Sequence, residues 1–415
     1  MQSSYRLLCA KPVLNVSCLP RFLGFPASNY ATVTSEPSKP HTTCLYDLHL
    51  KYGGKMVNFG GYLMPVQYGS EGIAFSHKFT RSSCSIFDVS HMLQSKLHGA
   101  DRVQVLQSIM VGDIEALSDN QGTLSVFTNE KGGIIDDFIV NKTTNGFLYI
   151  VSNAGCREKD LILLNQTVKD AKSNGQDVEL EILENRGLLA VQGPAVASIL
   201  QTHVDIDLKQ LFFMNTSVAT VCGVPDCRIT RCGYTGEDGV EISVPADAAS
   251  DITEKLLQNQ QVKMAGLGAR DSLRLEAGLC LYGNDMNEET TPVEASLLWL
   301  IAKRRRAQAN FPGAAAILDQ VQNHSYKRKR VGFLSQGPPA RAHTLIHDKE
   351  SNQVVGEITS GCPSPSLGNW NVSMGYIERG LSKIGTEVVL EIRKKPVVAK
   401  VSKMPFVPTK YYTKK

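Results

Sequence analysis

At 415 residues, 42% hydrophobic and 20% charged, the chain has an ordinary globular composition and enough length for two or three domains. Its formal net charge of +4 is too small for a nucleic-acid binder, and no apolar run approaches the roughly 18 residues a membrane helix needs; the longest, ASLLWLIA (295–302), runs into KRRR. The ten cysteines include no C-x-x-C pair, and Cys222, Cys227 and Cys232 fall five apart with no histidine cluster, so reduced, mostly buried thiols are expected rather than disulfides or a zinc site.

Residues 1–35 carry Arg6, Lys11 and Arg21, many hydroxyls, and no acid before Glu36. That is the composition of a mitochondrial transit peptide; a disordered tail is the alternative, and Lys11, Asn15 and Arg21 break up the apolar stretch a secretory signal needs. CSIFDVSHM (84–92) and QSKLHG (94–99) predict strands around a bend. ADRVQVLQSIMVGDIEAL (100–117) has helical spacing. GTLSVFT (122–128), IIDDFIV (134–140) and FLYIVS (147–152), separated by glycine-bearing turns, predict two successive hairpins. A second amphipathic helix is expected over 155–175, strands over 178–194, and a helix opened by Pro194 over 194–204. CRITRCGYTGEDGVEISVP (227–245) reads as a hairpin, and LGARDSLRLEAGL (267–279) as a helix stopped by Gly278. The pattern breaks near 303–328. Beyond it come six short strands, RVGFL, TLIHD, VVGEIT, VSMGYI, TEVVLEI and VVAKVS, which suit a small barrel or sandwich. The mixture lacks a strict βαβ alternation, so an antiparallel α+β fold is expected.

No phosphate-binding glycine loop, dinucleotide fingerprint, serine elbow or H-E-x-x-H motif is present. The basic runs KRRR (303–306) and KRKR (327–330) read as surface patches for an acidic partner, or as plain solvated charge. What remains is a scatter of polar residues among glycines. Asp136 and Asp137 sit in the middle of an apolar strand. Successive strand side chains face opposite ways, so the two acids lie on different faces, each at least partly covered. An ionised carboxylate there needs partners: one of the pair caps a neighbouring N–H, or one lines a pocket and steadies a cation. Glu241 interrupts the strand GVEISVP, Arg270 opens a helix, and Tyr411-Tyr412 ends the chain; each also has an unremarkable surface reading.

The stretches MPVQY, FDVSHM, GGIIDD, YIVSNAG, RCGYTGEDGVEISVP, GARDSLRLEAGLCLYGNDM, TSGCPSPSL and SKMPFVPTKYYT together resemble the folate-binding aminomethyltransferases, the T-protein family of glycine cleavage. The resemblance runs from about residue 45 to the C-terminus. It implies an α+β three-domain cloverleaf, with two interleaved antiparallel folate-binding α+β domains over 45–310 and a C-terminal β-barrel over 325–412, preceded by the 1–35 leader. It implies an enzyme of the mitochondrial matrix that uses tetrahydrofolate and no metal. Its implied partners are lipoylated H-protein and the other glycine cleavage components, with no nucleic acid and no membrane. The family's catalytic aspartate falls on Asp137, and its folate contacts on Glu241, Arg270 and Tyr411. Two relatives of different chemistry share the fold. An iron–sulfur assembly protein would carry K-G-C-Y-x-G-Q-E where this chain has RCGYTGEDG, and a non-catalytic folate binder would tolerate loss of Asp137.

Overall fold

The computed structural model describes residues 39–414; the expected leader over 1–35 lies outside the described residues. Two sheets, one antiparallel and one mixed, and a closed barrel make up the fold, with a small hairpin, Gly54–Phe59 and Tyr62–Tyr68, beside them. The first sheet has five strands in the spatial order Gln121–Thr128, Ile134–Lys142, Leu148–Ser152, Leu93–His98 and Glu179–Ile182, every neighbouring pair antiparallel. The second has six: Thr216–Val221, Val224–Thr230, Gly239–Pro245, Arg186–Gln192, Cys84–Asp88 and Val262–Met264. Its last pair is parallel, a departure from the all-antiparallel expectation.

The chain passes between these sheets twice. Cys84–Asp88 belongs to the six-stranded sheet and Leu93–His98, across a short bend, to the five-stranded one. Glu179–Ile182 and Arg186–Gln192 divide the same way. The helix Arg157–Ser173 covers one face of the five-stranded sheet, packing Leu164, Val168 and Ala171 against the stacked rings of Phe127 and Phe138, whose centroids are 4.0 Å apart.

The helix Leu267–Glu276 has a different position. Its Ala269 and Leu273 join a core shared with Phe87, Leu188 and Ala190 of one sheet and Tyr149 and Val151 of the other. Its Leu275 packs instead on Cys362, Val372 and Met374 of the barrel. Each leucine is fully buried, worth ~1.5–3 kcal/mol of transfer free energy. One helix therefore ties all three sheets together. It ends as expected at Gly278, whose φ of +71° a side chain would disfavour. The barrel closes in the order Arg328–Gln336, Trp370–Glu378, Val354–Pro363, Leu345–Asp348, Glu387–Ile392 and Lys395–Ser402, using all six predicted strands.

Two further expectations are met only in part. The predicted helix over 100–117 is real only for Arg102–Gln107. Beyond it the backbone finds other partners: Gln107 Oε1 accepts from the N–H of Ile114 (2.7 Å) and Glu115 (3.2 Å), and Met110 forms a β-bridge to Phe127. The basic runs lie at the surface only in part: Lys303, Lys327 and Arg328 are exposed, and the other members are half-covered or buried. Arg305 is 1% exposed and donates to the carbonyls of Gln107 and Met110. Arg304 pairs with Asp113 and Glu115, both at 2.6 Å, and Arg306 donates to Ile301 O and Leu298 O. In the second run Arg330 is buried and donates to Ala295 O (2.8 Å), while Arg328 pairs with Glu294 at 3.3 Å. A guanidinium carries five donors in a fixed fork, which suits it to collecting loop carbonyls in place of a helix's own N–H groups.

Candidate active site

The site forms where the five-stranded sheet, the six-stranded sheet and the first turns of the helix Leu267–Glu276 meet. In the strand Ile134–Lys142 burial alternates, so Ile134, Asp136, Phe138 and Val140 are buried while Ile135, Asp137 and Ile139 are only half covered. Asp136 is fully buried. Asp137 has some access.

Both acids are held by Asn153. Phe138 pairs with Ser152 in the ladder, so Asn153 comes next to Asp137. Its Nδ2 donates to Asp136 Oδ1, Asp137 O and Asp137 Oδ1, each at 2.9 Å, and its backbone N–H donates to Asp136 Oδ2 at 3.1 Å. Burial, followed by the charge of Asp136, raises the proton affinity of Asp137, pushing its pKa up to about 8; the Asn153 bond opposes this.

Opposite lies the loop 231–238, RCGYTGED, between the paired strands Val224–Thr230 and Gly239–Pro245. The loop is anchored from several sides. Arg231 grips Asp238 and the carbonyls of Leu208 and Leu211. Gln192 donates to Cys232 O at 3.0 Å and accepts from Thr235 Oγ1 at 2.9 Å. The Gln192 amide fills the space a Cβ would take at Gly233 or Gly239, so a side chain at either position would push that amide off its partners Cys232 and Thr235. The loop's side chains then connect the site. The Cys232 thiol hydrogen-bonds to Glu241, and Arg270 and Tyr411 lie within its electrostatic reach. The Tyr234 ring carries the Arg270 guanidinium on its face, 4.7 Å from the centroid, and is close enough to Asp137 to feel its charge.

All four residues singled out in the sequence thus share neighbours. Burial raises the proton affinity of Glu241, with Arg270 and the Cys232 bond working against it. Arg270 Nη1 is buried with no hydrogen-bond partner, an expensive state for a guanidinium N–H unless a ligand takes it. Tyr411 reaches the site because the C-terminal tail folds back: Phe406 N–H donates to Glu276 O, Lys410 N–H to Gly236 O, and the Tyr411 ring stacks on Phe213 at 4.3 Å.

Sequence reading missed Asn153, Cys232, Tyr234 and His91. All four lie inside the quoted motifs, but nothing local marked them as contacts. His91 is buried, its pKa pushed down to about 4 by burial first, and its Nδ1 has no partner; Arg270 adds to the shift while Asp88 opposes it. Asp160 was missed too, although it left a signal. It stands on the buried stripe Asp160, Leu164, Val168, Ala171 of its helix, an acid where an apolar residue belongs.

Buried acids, an arginine with an unsatisfied N–H and aromatic rings thus meet where the two interleaved sheets join. A model of the GCVT N-terminal domain matches residues 45–305, and one of the glycine cleavage T-protein C-terminal barrel domain matches 328–408. The chain belongs to the glycine cleavage T-protein family. It is 55% identical over 398 residues to the Mus musculus protein named aminomethyltransferase, mitochondrial, covering 95% of this chain and 98% of that one. The Homo sapiens protein of the same name is 54% identical over 395 residues, covering 95% and 97%. The crystal structure of glycine cleavage system aminomethyltransferase T from Bartonella henselae superposes with a TM-score of 0.82 at 38% identity, covering 90% of this chain and 99% of that one.

Proposed function

We propose that this chain is the mitochondrial aminomethyltransferase of glycine cleavage. It takes the aminomethyl group carried on the dihydrolipoyl arm of H-protein, transfers its carbon to tetrahydrofolate, and releases ammonia, 5,10-methylenetetrahydrofolate and reduced H-protein. In this reading 45–310 are the two interleaved folate-binding domains, 325–412 the barrel domain and 1–35 a matrix leader. The observation that carries it is the pairing of a half-covered carboxylate, Glu241, with the unspent N–H of Arg270, beside the loop 231–238 whose Tyr234 also faces Asp137.

That donor and acceptor set fits a pterin. A carboxylate matches two adjacent ring N–H groups, and a guanidinium N–H supplies the complementary donor. Tetrahydrofolate, when bound, supplies the nitrogens that accept the carbon. Glu241 and Arg270 hold and orient the ring, and Tyr411 walls the pocket with the folded-back tail. Asp137, fixed by Asn153, faces the reacting carbon. As sulfur leaves, positive charge grows on that carbon, and a fixed carboxylate in a poorly hydrated pocket stabilises it. The raised proton affinity of Asp137 also suits it to receive and return a proton near neutral pH. No covalent enzyme intermediate is required, and Cys232 is kept as a thiol by burial and by Glu241. A stopped assay with aminomethylated H-protein, following ammonia and methylenetetrahydrofolate, tests the reading: ammonia release should depend on tetrahydrofolate. Release at the same rate without it would overturn the proposal.

A further inference from the structure

A largely buried arginine joins the site loop to the helix that carries Arg270. Arg81 lies in the last turn of the helix Ile73–Ser82, its side chain 11% exposed. Its Nη1 donates to Thr235 O at 2.6 Å and to Glu237 Oε1 at 3.1 Å, both in the loop 231–238. Its Nη2 donates to Glu276 Oε2 at 2.9 Å and to Leu273 O at 3.4 Å, both on the helix Leu267–Glu276. One planar fork thus spans two elements, a geometry that a guanidinium holds and a single ammonium does not.

The two acids are closed in different ways. Glu276 also accepts from His77, Ser364 and Ser366, so its place does not depend on Arg81. Glu237 is 1% exposed, and the side chains that donate to its carboxylate are Arg81 and, at 3.3 Å, Lys410 of the tail. The helix is therefore the fixed end of the bridge, and the loop and tail are the dependent end. The loop's bonds through Arg231 and Gln192 tie it to the segment 208–211 and to the strand Arg186–Gln192 instead. A Cβ placed on Gly236 would lie 3.0 Å from Ala277, 3.5 Å from Arg81 Nη1 and 3.7 Å from Thr409, so helix end, arginine, loop and tail converge on one point.

Two site residues take their positions from that point. Tyr234, two residues before Gly236, carries Arg270 on its ring and donates to Cys280 O. Tyr411 stands between two anchored neighbours: the N–H of Lys410 donates to Gly236 O at 2.8 Å, and Tyr412 O accepts from the N–H of Phe213 at 2.7 Å. A shift of the loop moves both rings. Asp137 is held separately, by Asn153 on the other sheet.

We infer that Arg81 is a positioning residue for the folate pocket: its fork brackets the loop 231–238 to the helix Leu267–Glu276, and through Glu237 and Lys410 it sets where Tyr234 and Tyr411 stand against the bound ring. This rests on the reading of the pocket as a tetrahydrofolate site.

Arg81→Lys tests it, because lysine keeps the charge beside two buried acids and loses the fork. In steady-state kinetics of the full-length enzyme, R81K should raise the KM for tetrahydrofolate about tenfold, the effect of about one hydrogen bond to a charged group. The KM for aminomethylated H-protein and the turnover at saturating tetrahydrofolate should stay within about twofold of the wild type. If Arg81 served only to neutralise the acids, the retained charge would keep the KM for tetrahydrofolate at its wild-type value. That result overturns the inference, and so does a turnover that falls while this KM holds. Hydrogen exchange gives a reading free of substrate: the amide of Lys410 should exchange about tenfold faster in R81K, while that of Asn153, bonded to Asp136, keeps its rate. Equal rates at Lys410 overturn the inference. Should R81K not fold, Glu237→Ala takes its place, since it leaves the Arg81–Glu276 pair intact; wild-type KM and exchange in that variant overturn the inference equally. The reading of the pocket fails separately. If the wild type shows no calorimetric binding of tetrahydrofolate, the pocket takes another ligand, and faster exchange at Lys410 in R81K still shows Arg81 placing the loop and tail.

Discussion

Arg270 and Arg274 stand one turn apart on the helix Leu267–Glu276, and their surroundings are opposite. Arg274, 1% exposed, spends its donors within the protein, on Asp271, on Asp285, on the Leu279 carbonyl and on Ser360 of the barrel. Asp285 in turn accepts from Thr359 and from the N–H of Leu281. Arg270 lies over Tyr234 with Nη1 unsatisfied. The C-terminal half of the helix is thus a closed latch to the barrel, and its N-terminal half is an open site. Residue type does not separate the two roles; completeness of hydrogen bonding does.

The sharpest way to break this contrast is Arg274→Met. It strands Asp285 as an uncompensated buried charge and should cost ~3–5 kcal/mol in urea unfolding, while Arg270→Met should cost no more than the ~1 kcal/mol of its contact with Tyr234. Equal losses would dissolve the distinction. Glu276 belongs to the latch. Burial works against its ionisation, but bonds from His77, Ser364 and Ser366 hold its pKa down to about 2, against an ordinary 4.5. A depressed carboxylate stabilises above its unfolded pKa and stops doing so as pH falls through its folded one. The protein should therefore lose about 3 kcal/mol between roughly pH 4.5 and 2, and the acid-melting curve of Glu276→Gln should be flatter over that window.

On the site side, Asp137→Asn should lower turnover by ~10²-fold or more with tetrahydrofolate affinity little changed, measured by steady-state kinetics beside calorimetry. Asp136→Asn should show itself first in the melting temperature. Glu241→Gln puts a donor against a donor and should weaken tetrahydrofolate by ~1.5–3 kcal/mol; unaltered calorimetric binding would remove Glu241 from the site. The smallest effect is expected at Lys303, the exposed member of a run whose arginines are already engaged. Lys303→Glu should leave stability within ~0.5 kcal/mol, whereas Arg305→Met should unlock the 107–110 turn and lower the melting temperature.

Much of this was legible in the chain itself. Alternation along IIDDFIV placed Asp136 and Asp137 on different faces, and the strand burial follows that alternation. The six C-terminal strands, the end of a helix at Gly278 and the hairpin around RCGYTGED followed from local periodicity and turn chemistry. Local patterns record which face of an element is covered, because burial selects side chains position by position. They do not record what covers it. Adjacent strands such as 84–88 and 93–98 went to different sheets, and Arg305 of KRRR, a run that read as a surface patch or solvated charge, became interior because its carbonyl partners lie near residue 107, 198 positions away in the case of Gln107. The same distance hid the difference between Arg270 and Arg274, since one of the groups that satisfies Arg274 is Ser360, 86 residues on. Hydrogen-bond closure is a property of the assembled molecule, and so is the meeting of Asp137, Glu241, Arg270 and Tyr411 around one loop. A chain can advertise its polar residues, but only packing determines which of them find partners within it and which are left for a ligand.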